Sequence, residues 1–341
     1  IYFDLSREEL EKKYAKGASD FLNLSDGTRI HYRDEGVSNL PVIVFLHGMN
    51  GSLFNFERLV PFLKDDFRLI SLDFPGFGLT GPIPSNDYSR NSFIETINQL
   101  TDHLDVSNFS LAGNSMGGGI AWRYALRYPE KVESLILLSS SGVFSKEYRD
   151  DYQIETKDSP WVWSLMKSKA VNYLLTYYTP KFFATQGLRA SVFNQDIATQ
   201  ELAYQFHELT LLNGSRKAIL SMFSKRSRDY DSVDILRYIK APVLVIHGKE
   251  DNIIPFESSS VFVQNIKDVE FNDTNVYGTW MPVSEPIVMA SAAGWYVGAI
   301  CKDPDCDGMI VPYNRYTDYM TQENAQKCLD TPMEEGGFYE G

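Results

Sequence analysis

The sequence has little cysteine, few basic residues and no long apolar run, and each shortage excludes something. Its three cysteines, Cys301, Cys306 and Cys328, all lie near the C-terminus, so the bulk of the fold uses no disulfide. Acidic residues outnumber basic ones by 45 to 32, which gives a net charge of −13. Such a surface repels phosphate backbones and anionic lipid, so we expect no nucleic-acid partner.

No apolar run is long enough to cross a membrane. The longest, residues 287–301, is shorter than the roughly 20 residues that a span requires, and we predict that it forms a buried core helix. The first residue is Ile1 rather than Met, which is compatible with a removed leader or anchor. With 341 residues, the chain is long enough for one large α/β domain that carries an insertion.

Strands and helices are predicted to alternate along most of the chain. A hairpin turning at Asp26-Gly27 comes first. Apolar runs then predict strands at 42–46, 67–72, 109–112, 132–138, 242–246 and 269–271. Helices are predicted at 91–106 and 115–128. This alternation indicates an α/β fold with a mostly parallel central sheet and helices on both faces.

The alternation stops near residue 143 and resumes near residue 236. The stretch between is helical in pattern and rich in aromatic residues. We therefore predict three parts, namely a core formed by residues 1–143 and 236–300, an inserted helical cap at 144–235, and a C-terminal tail at 301–341.

The strongest chemical signal is Gly113-Asn114-Ser115-Met116-Gly117, between a predicted strand and a predicted helix. A serine on such a turn is held in a strained conformation with its hydroxyl above the sheet, and the flanking glycines allow the tight backbone. The helix that begins here directs free N–H groups at any charge that develops beside the serine. We interpret Ser115 as a nucleophile.

At this motif the chain resembles the α/β-hydrolase superfamily, in particular its capped esterases and lipases, over roughly residues 20–300. The resemblance includes the segments 45–49, 73–78 and 246–251. It implies that the N–H groups of Met49 and Met116 form an oxyanion hole and that Asp251 is the catalytic acid. It also implies that His47 is a structural residue and that the reaction needs no metal or cofactor.

One position departs from the family pattern. The catalytic histidine of these enzymes normally follows a glycine shortly before the last helix, but here Gly278 is followed by Thr279. A threonine hydroxyl cannot accept the proton of Ser115, so the chain as written is expected to be slow or inactive. Three explanations remain open: a substitution that disables the enzyme, a natural loss that leaves a ligand-binding protein, or a displaced base.

The other histidines are poor substitutes for the missing base. His31 and His103 are expected to lie away from the carboxyl edge of the sheet. His207 and His247 are candidates for a displaced base, but the preferred interpretation of both is a hydrogen-bonded structural residue.

The substrate is predicted from the apolar residues around the site. We expect Gly48, Trp161, Trp163 and Trp280 to contact it, since small-molecule pockets are mostly apolar. The predicted substrate is a small ester with a hydrophobic acyl or aryl group.

The tail carries two further motifs. Asp303, Asp305, Asp307 and Gly308 imitate the start of a calcium loop, but its twelfth position is Asn314, so a plain acidic turn is preferred. A disulfide from Cys301 or Cys306 to Cys328 would fasten the tail. The segment 10–36 resembles that of exported, anchored bacterial relatives, which favours an exported protein.

Overall fold

The computed structural model describes residues 4–142, 177–192, 194–224, 232–251, 253–274, 287–291, 294–302 and 310–315. The helices are α1 (Arg7–Tyr14), α2 (Val60–Leu63), α3 (Arg90–His103), α4 (Met116–Arg127), α5 (Lys181–Ser191), α6 (Gln200–Thr210), α7 (Ser215–Ser224) and α8 (Ser259–Asn265). The strands are β1 (Ser19–Asn23), β2 (Arg29–Glu35), β3 (Val42–Leu46), β4 (Arg68–Leu72), β5 (Phe109–Asn114), β6 (Val132–Leu138), β7 (Val243–Gly248), β8 (Val269–Thr274), β9 (Ile287–Ser291), β10 (Gly294–Lys302) and β11 (Ile310–Arg315). The strands predicted up to residue 271 are all present.

Eight strands form one sheet in the order β1-β2-β4-β3-β5-β6-β7-β8. Strands β3 to β8 pair in parallel, whereas β1 and β2 form an antiparallel hairpin that joins the sheet through β4. The predicted mostly parallel α/β sheet is therefore confirmed. In this order β3, β5 and β6 lie at the centre, so the loops that follow them meet at one edge.

The core forms on this sheet because its central strands are apolar on both faces. Four consecutive side chains of β3, from Ile43 to Leu46, are buried, which requires cover on both sides of the sheet. Helix α3 buries Phe93, Ile94, Ile97 and Leu100 at the helical spacing that the sequence predicted. Helix α4 packs against β5 and β6 and buries Trp122 and Tyr124 completely.

Part of the predicted cap is described, and it is helical there, in α5, α6 and α7. The N-terminal segment reaches this region: the Leu5 N–H donates to the Leu211 carbonyl at 2.7 Å, and the Asn213 N–H donates to the Leu5 carbonyl at 3.0 Å. Among the described residues, no helix combines the length and the apolar character needed to cross a membrane.

The chain divides into two compact units, residues 1–275 and 276–341. This boundary falls inside the 236–300 stretch assigned to the core, and the division into core, cap and tail stays a prediction. The predicted helix at 287–301 is wrong: strands β9 and β10 pair antiparallel there, with Ser291 opposite Gly294. A run that is apolar at nearly every position has no period, so periodicity could not distinguish a helix from a hairpin.

Candidate active site

Ser115 stands at the turn between β5 and α4. Its backbone has φ 51° and ψ −113°, a region that non-glycine residues seldom occupy and that matches the strain expected at this motif. Hydrogen bonds hold the turn, because the Ser115 N–H donates to the Leu138 carbonyl at 3.0 Å and the Ser141 N–H donates to the Ser115 carbonyl at 2.9 Å. The side chain is half-buried and therefore accessible.

Glycines allow the chain to approach itself closely around this turn. A β-carbon on Gly113 would lie 2.5 Å from the Gly117 carbonyl oxygen, and one on Gly117 would lie 2.2 Å from the Leu46 carbonyl oxygen. Both distances are far below van der Waals contact. The predicted need for glycine two residues before and after the serine is thus met by specific backbone contacts.

The loop after β3, residues 47–53, lies against the serine; we call it the β3 loop. A β-carbon on Gly48 would lie 3.2 Å from the Ser115 Cβ and 3.0 Å from the Asn114 Oδ1. Met49 follows Gly48 directly, and its side chain packs partly buried on the core. Met116 is the first residue of α4, so its N–H has no partner within the helix and is free to bind an anion.

Asp251 follows β7 at the same edge of the sheet as Ser115. Strand β6 connects the two, since Asn114 pairs with Leu138 and Leu138 pairs with Ile246. The Asp251 Oδ1 accepts the N–H groups of Ile253 at 2.8 Å and Ile254 at 2.9 Å. The carboxylate is thereby fixed at a turn.

Two histidines near the edge are bound to the backbone. The His47 Nδ1–H donates to the Gly48 carbonyl at 2.7 Å, and its Nε2 accepts the Phe74 N–H at 3.0 Å. Complete burial lowers the pKa of His47, so the ring is neutral and stays in this tautomer. The His247 Nε2–H donates to the Ile254 carbonyl at 2.9 Å, and burial lowers its pKa as well.

Two further histidines are His207, in α6, and His103, in α3. His207 is buried, and its Nε2 pairs with the Thr179 carbonyl at 2.7 Å. His103 is exposed at the end of α3. The structural interpretation of His207 and His247 is confirmed by these bonds. Within the described chain, no histidine is hydrogen-bonded to Ser115.

The expectation that His31 lies away from the carboxyl edge is wrong. Strand β2 runs antiparallel to β4, so its residue 31 lies beside Asp73, the first residue after β4. The His31 Nδ1 and the Asp73 Oδ2 are 2.7 Å apart, and both side chains are completely buried. The first hairpin thus contributes the His31 side chain to the carboxyl edge of the sheet. The position of the hairpin in the sequence could not reveal this.

A cavity of about 10 Å³, which is room for about one water molecule, lies beside the β3 loop. It is lined by neutral residues of the β3 loop, of the loop after β4, and of helices α6 and α7: Asn50, Gly51, Ser52, Phe77, Gly78, Phe206, Leu209, Thr210 and Ile219. The first lining residue in the sequence, Asn50, directly follows Met49.

Several predicted residues fall outside the described residues. These are Thr279, Trp161, Trp163 and Trp280 of the predicted site, and Asp303, Asp305, Asp307, Gly308, Cys306 and Cys328 of the tail. Cys301 belongs to β10. The preferred acidic turn at 303–308 and the disulfide of the tail remain predictions.

A parallel sheet with a strained serine at a central strand-to-helix turn is the arrangement of the α/β hydrolases. A family model described as alpha/beta hydrolase fold matches residues 41–283. The chain belongs to this family.

Relatives with known names include two bacterial hydrolases and one solved esterase. The chain is 27% identical over 280 residues to 2-hydroxymuconate semialdehyde hydrolase of Pseudomonas sp. strain CF600, covering 80% of this chain and 91% of that protein. It is 25% identical over 268 residues to 2-hydroxy-6-oxo-2,4-heptadienoate hydrolase of Pseudomonas putida, covering 77% and 90%. The crystal structure of an esterase from Exiguobacterium antarcticum is similar with a TM-score of 0.61 and 28% identity, covering 74% of this chain and 89% of that one.

Proposed function

We propose that this chain is a serine hydrolase of carboxylic esters with a hydrophobic acyl or aryl group, in which Ser115 forms an acyl-enzyme. The observation that carries the proposal is the strained Ser115 at the start of α4, with Gly48 so close that a β-carbon there would crowd the Ser115 Cβ. A serine held in this way is presented to a substrate without further rearrangement, which is what nucleophilic catalysis requires.

The N–H groups of Met116 and Met49 would stabilise the oxyanion of the tetrahedral intermediate. Met116 offers a helix N-terminal amide, and Met49 lies one residue beyond the Gly48 contact. Donors of this kind typically contribute 10²–10³-fold to turnover each. Gly48, which we also predict to contact the substrate, would do so through its backbone.

Asp251 would orient an imidazole, but Thr279 occupies the sequence position where the family has its histidine. Without a base the expected loss in turnover is on the order of 10⁴–10⁶, and only oxyanion and binding effects remain. The chain as written is therefore expected to hydrolyse esters slowly.

The neutral residues beside the β3 loop are compatible with an uncharged, hydrophobic substrate. All nine residues that line the cavity are neutral, and Phe77, Phe206, Leu209 and Ile219 supply most of its apolar character. A carboxylate buried there would need a cationic or multiple hydrogen-bond partner to offset its desolvation. Trp161, Trp163 and Trp280 are proposed to extend this apolar lining.

A second candidate is hydrolysis of a carbon–carbon bond in a hydroxy-oxo-dienoate, because two relatives are named for such substrates. The reaction would use the same serine and oxyanion donors. These substrates carry a carboxylate, however, and the residues that line the described cavity include no cation to pair with it. A third outcome is a ligand-binding protein that has lost the chemistry, which the Thr279 position favours.

The assay is a comparison of substrates on the chain as written and on Thr279→His. Aryl esters of two to twelve acyl carbons are offered beside a hydroxy-oxo-dienoate, with Ser115→Ala as the control for non-enzymatic hydrolysis. We expect ester hydrolysis that improves with acyl length and is lost in Ser115→Ala. Preference for the dienoate, or for charged over long-chain esters, would reject the ester proposal. Ligand binding with no turnover in either protein would favour the binding protein.

A further inference from the structure

The β3 loop is held at both ends by two consecutive residues, Asp73 and Phe74. At its start, the Phe74 N–H donates to the His47 Nε2 at 3.0 Å. At its end, the Leu53 N–H donates to the Asp73 Oδ1 at 2.7 Å. Met49 lies between these two attachments, so its N–H is aimed by groups that come from the end of β4.

The Asp73 carboxylate has a complete set of donors although it is fully buried. Its Oδ2 accepts the Leu79 N–H at 2.7 Å and faces the His31 Nδ1 at 2.7 Å. Burial would raise the pKa of Asp73, but His31 and the hydrogen bonds lower it below its ordinary value, so the group is ionised. A β-carbon on Gly78 would lie 2.1 Å from the Asp73 Cγ, which shows how closely the chain surrounds the charge.

His31 is tied to the same network by its backbone. Its N–H donates to the Thr80 Oγ1 at 2.8 Å, and that hydroxyl donates to the Asp73 carbonyl at 2.7 Å. Its ring lies between Phe21 and Phe54, with centroid distances of 5.0 and 6.0 Å. The carboxylate can only accept, so the Nδ1 carries the shared hydrogen. The Nε2 has no hydrogen-bond partner in the part of the chain that is described.

A buried, hydrogen-bonded carboxylate is weak evidence for stability, since desolvation offsets much of what its partners contribute. The effect of the Asp73 carboxylate on geometry is larger. If the N–H groups that donate to it moved away, a buried charge would be left without partners, so these groups are kept in place. Here those donors are the backbone of the β3 loop and of the loop after β4. Both loops line the cavity, and one carries Met49.

We propose that Asp73, with His31 as its partner, is a positioning residue that sets the place of the Met49 N–H relative to Ser115. This inference rests on the proposed ester hydrolysis. Neither side chain contacts the substrate. They act through Leu53 and the β3 loop, and a displacement of the Met49 N–H lowers transition-state stabilisation while leaving substrate binding intact.

The test uses Asp73→Asn, His31→Phe and His31→Asn in the Thr279→His protein. We expect Asp73→Asn and His31→Phe to lower kcat about 10- to 100-fold with KM within twofold. His31→Asn should recover much of the loss, because the asparagine amide nitrogen falls near the position of Nδ1. His103→Gln, at an exposed site, is the matched histidine control and should leave both constants unchanged. The proposal would be overturned if Asp73→Asn and His31→Phe lost activity only through a higher KM. It would also be overturned if these variants were less stable but had an unchanged kcat.

A second measurement separates this proposal from the proposed function. Hydrogen exchange is followed in peptides covering residues 47–56 and, as a reference, 109–114 of β5. Asp73→Asn should speed exchange in the first peptide and not in the second. If Thr279→His fails to hydrolyse esters, the proposed function fails, and unchanged exchange at 47–56 would then reject the positioning role on its own.

Discussion

A β-carbon on Gly48 would lie 3.2 Å from the Cβ of Ser115, so the β3 loop passes close beside the serine turn. The two proposed oxyanion donors, Met49 and Met116, each directly follow one of these two residues in the sequence. Any account of the site therefore depends on the fit between these two turns.

Gly48→Ala is expected to impair the site without unfolding the chain. Its methyl group would be a few tenths of an ångström too close to Ser115 and to the Asn114 Oδ1, so one of the turns must move. In the Thr279→His protein, a shift of that size should lower the rate of Ser115 labelling by a fluorophosphonate about tenfold. Gly248→Ala is the control, since nothing lies within 4 Å of its β-carbon. Equal labelling of both variants would contradict the expectation.

Gly117→Ala is expected to destabilise the fold. The new methyl group would meet the Leu46 carbonyl oxygen at 2.2 Å, and that oxygen belongs to a central strand that cannot yield easily. Overpacking of this kind typically costs 1–3 kcal/mol in the free energy of unfolding. Gly187→Ala in α5 has open space around it and should instead gain about 0.5–1 kcal/mol. Urea unfolding of the two variants measures the difference, and a stable Gly117→Ala protein would be inconsistent with the described turn.

The N-terminal segment is expected to contribute to stability through Asp4 more than through Lys13. The Arg216 side chain is only 7% exposed, and its Nη2 donates to the Asp4 Oδ1 at 2.5 Å. Asp4→Asn would leave a buried guanidinium poorly compensated, at a cost of about 1 kcal/mol after allowing for the partial exposure of Asp4. Lys13 pairs with Glu208 but is 54% exposed, so Lys13→Gln should change stability by less than about 0.5 kcal/mol. Thermal unfolding of the two variants measures the difference. A larger loss of stability in Lys13→Gln than in Asp4→Asn would contradict this expectation.

Stability is expected to fall as the pH drops from about 7 to 5. Burial lowers the pKa of His47, His207 and His247 in the folded protein. The unfolded chain therefore binds protons near the ordinary pKa of about 6.5 that the folded chain does not bind, and the free energy of unfolding rises with pH through this range. Each histidine contributes a slope of up to about 1.4 kcal/mol per pH unit.

The measurement is denaturant unfolding at several pH values between 5 and 8. His247→Asn removes one of the three groups and should flatten the slope, whereas His103→Gln should not. A slope that is unchanged in His247→Asn would show that this histidine is not kept neutral by the fold.

The sequence predicted the local parts of the site well, because they depend on short-range patterns. The Ser115 turn needs only a strand, glycines and a helix start within a few residues, and each of these has a local signature. The strands of the central sheet were also predictable, since an apolar run as short as 42–46 suits a buried strand and is too short for a buried helix.

What could not be predicted depends on pairing between distant segments. The His31–Asp73 pair follows from the register of β2 against β4, which neither segment shows by itself. Residues 287–301 were misassigned for a related reason, since an apolar run specifies burial but not the hairpin partner that selects a strand. The partners of His207 and His247 are backbone carbonyls, which carry no sequence signature.

The central claim is that Ser115 is a nucleophile that lacks only its base, and restoring that base tests it most directly. Thr279→His is compared with the chain as written and with Ser115→Ala/Thr279→His on a small aryl ester. The claim predicts at least a 10³-fold rise in kcat/KM, abolished by Ser115→Ala, with fluorophosphonate attached to Ser115 in a digest of Thr279→His. No rise in hydrolysis in a folded Thr279→His protein, with Ser115 unlabelled, would contradict it.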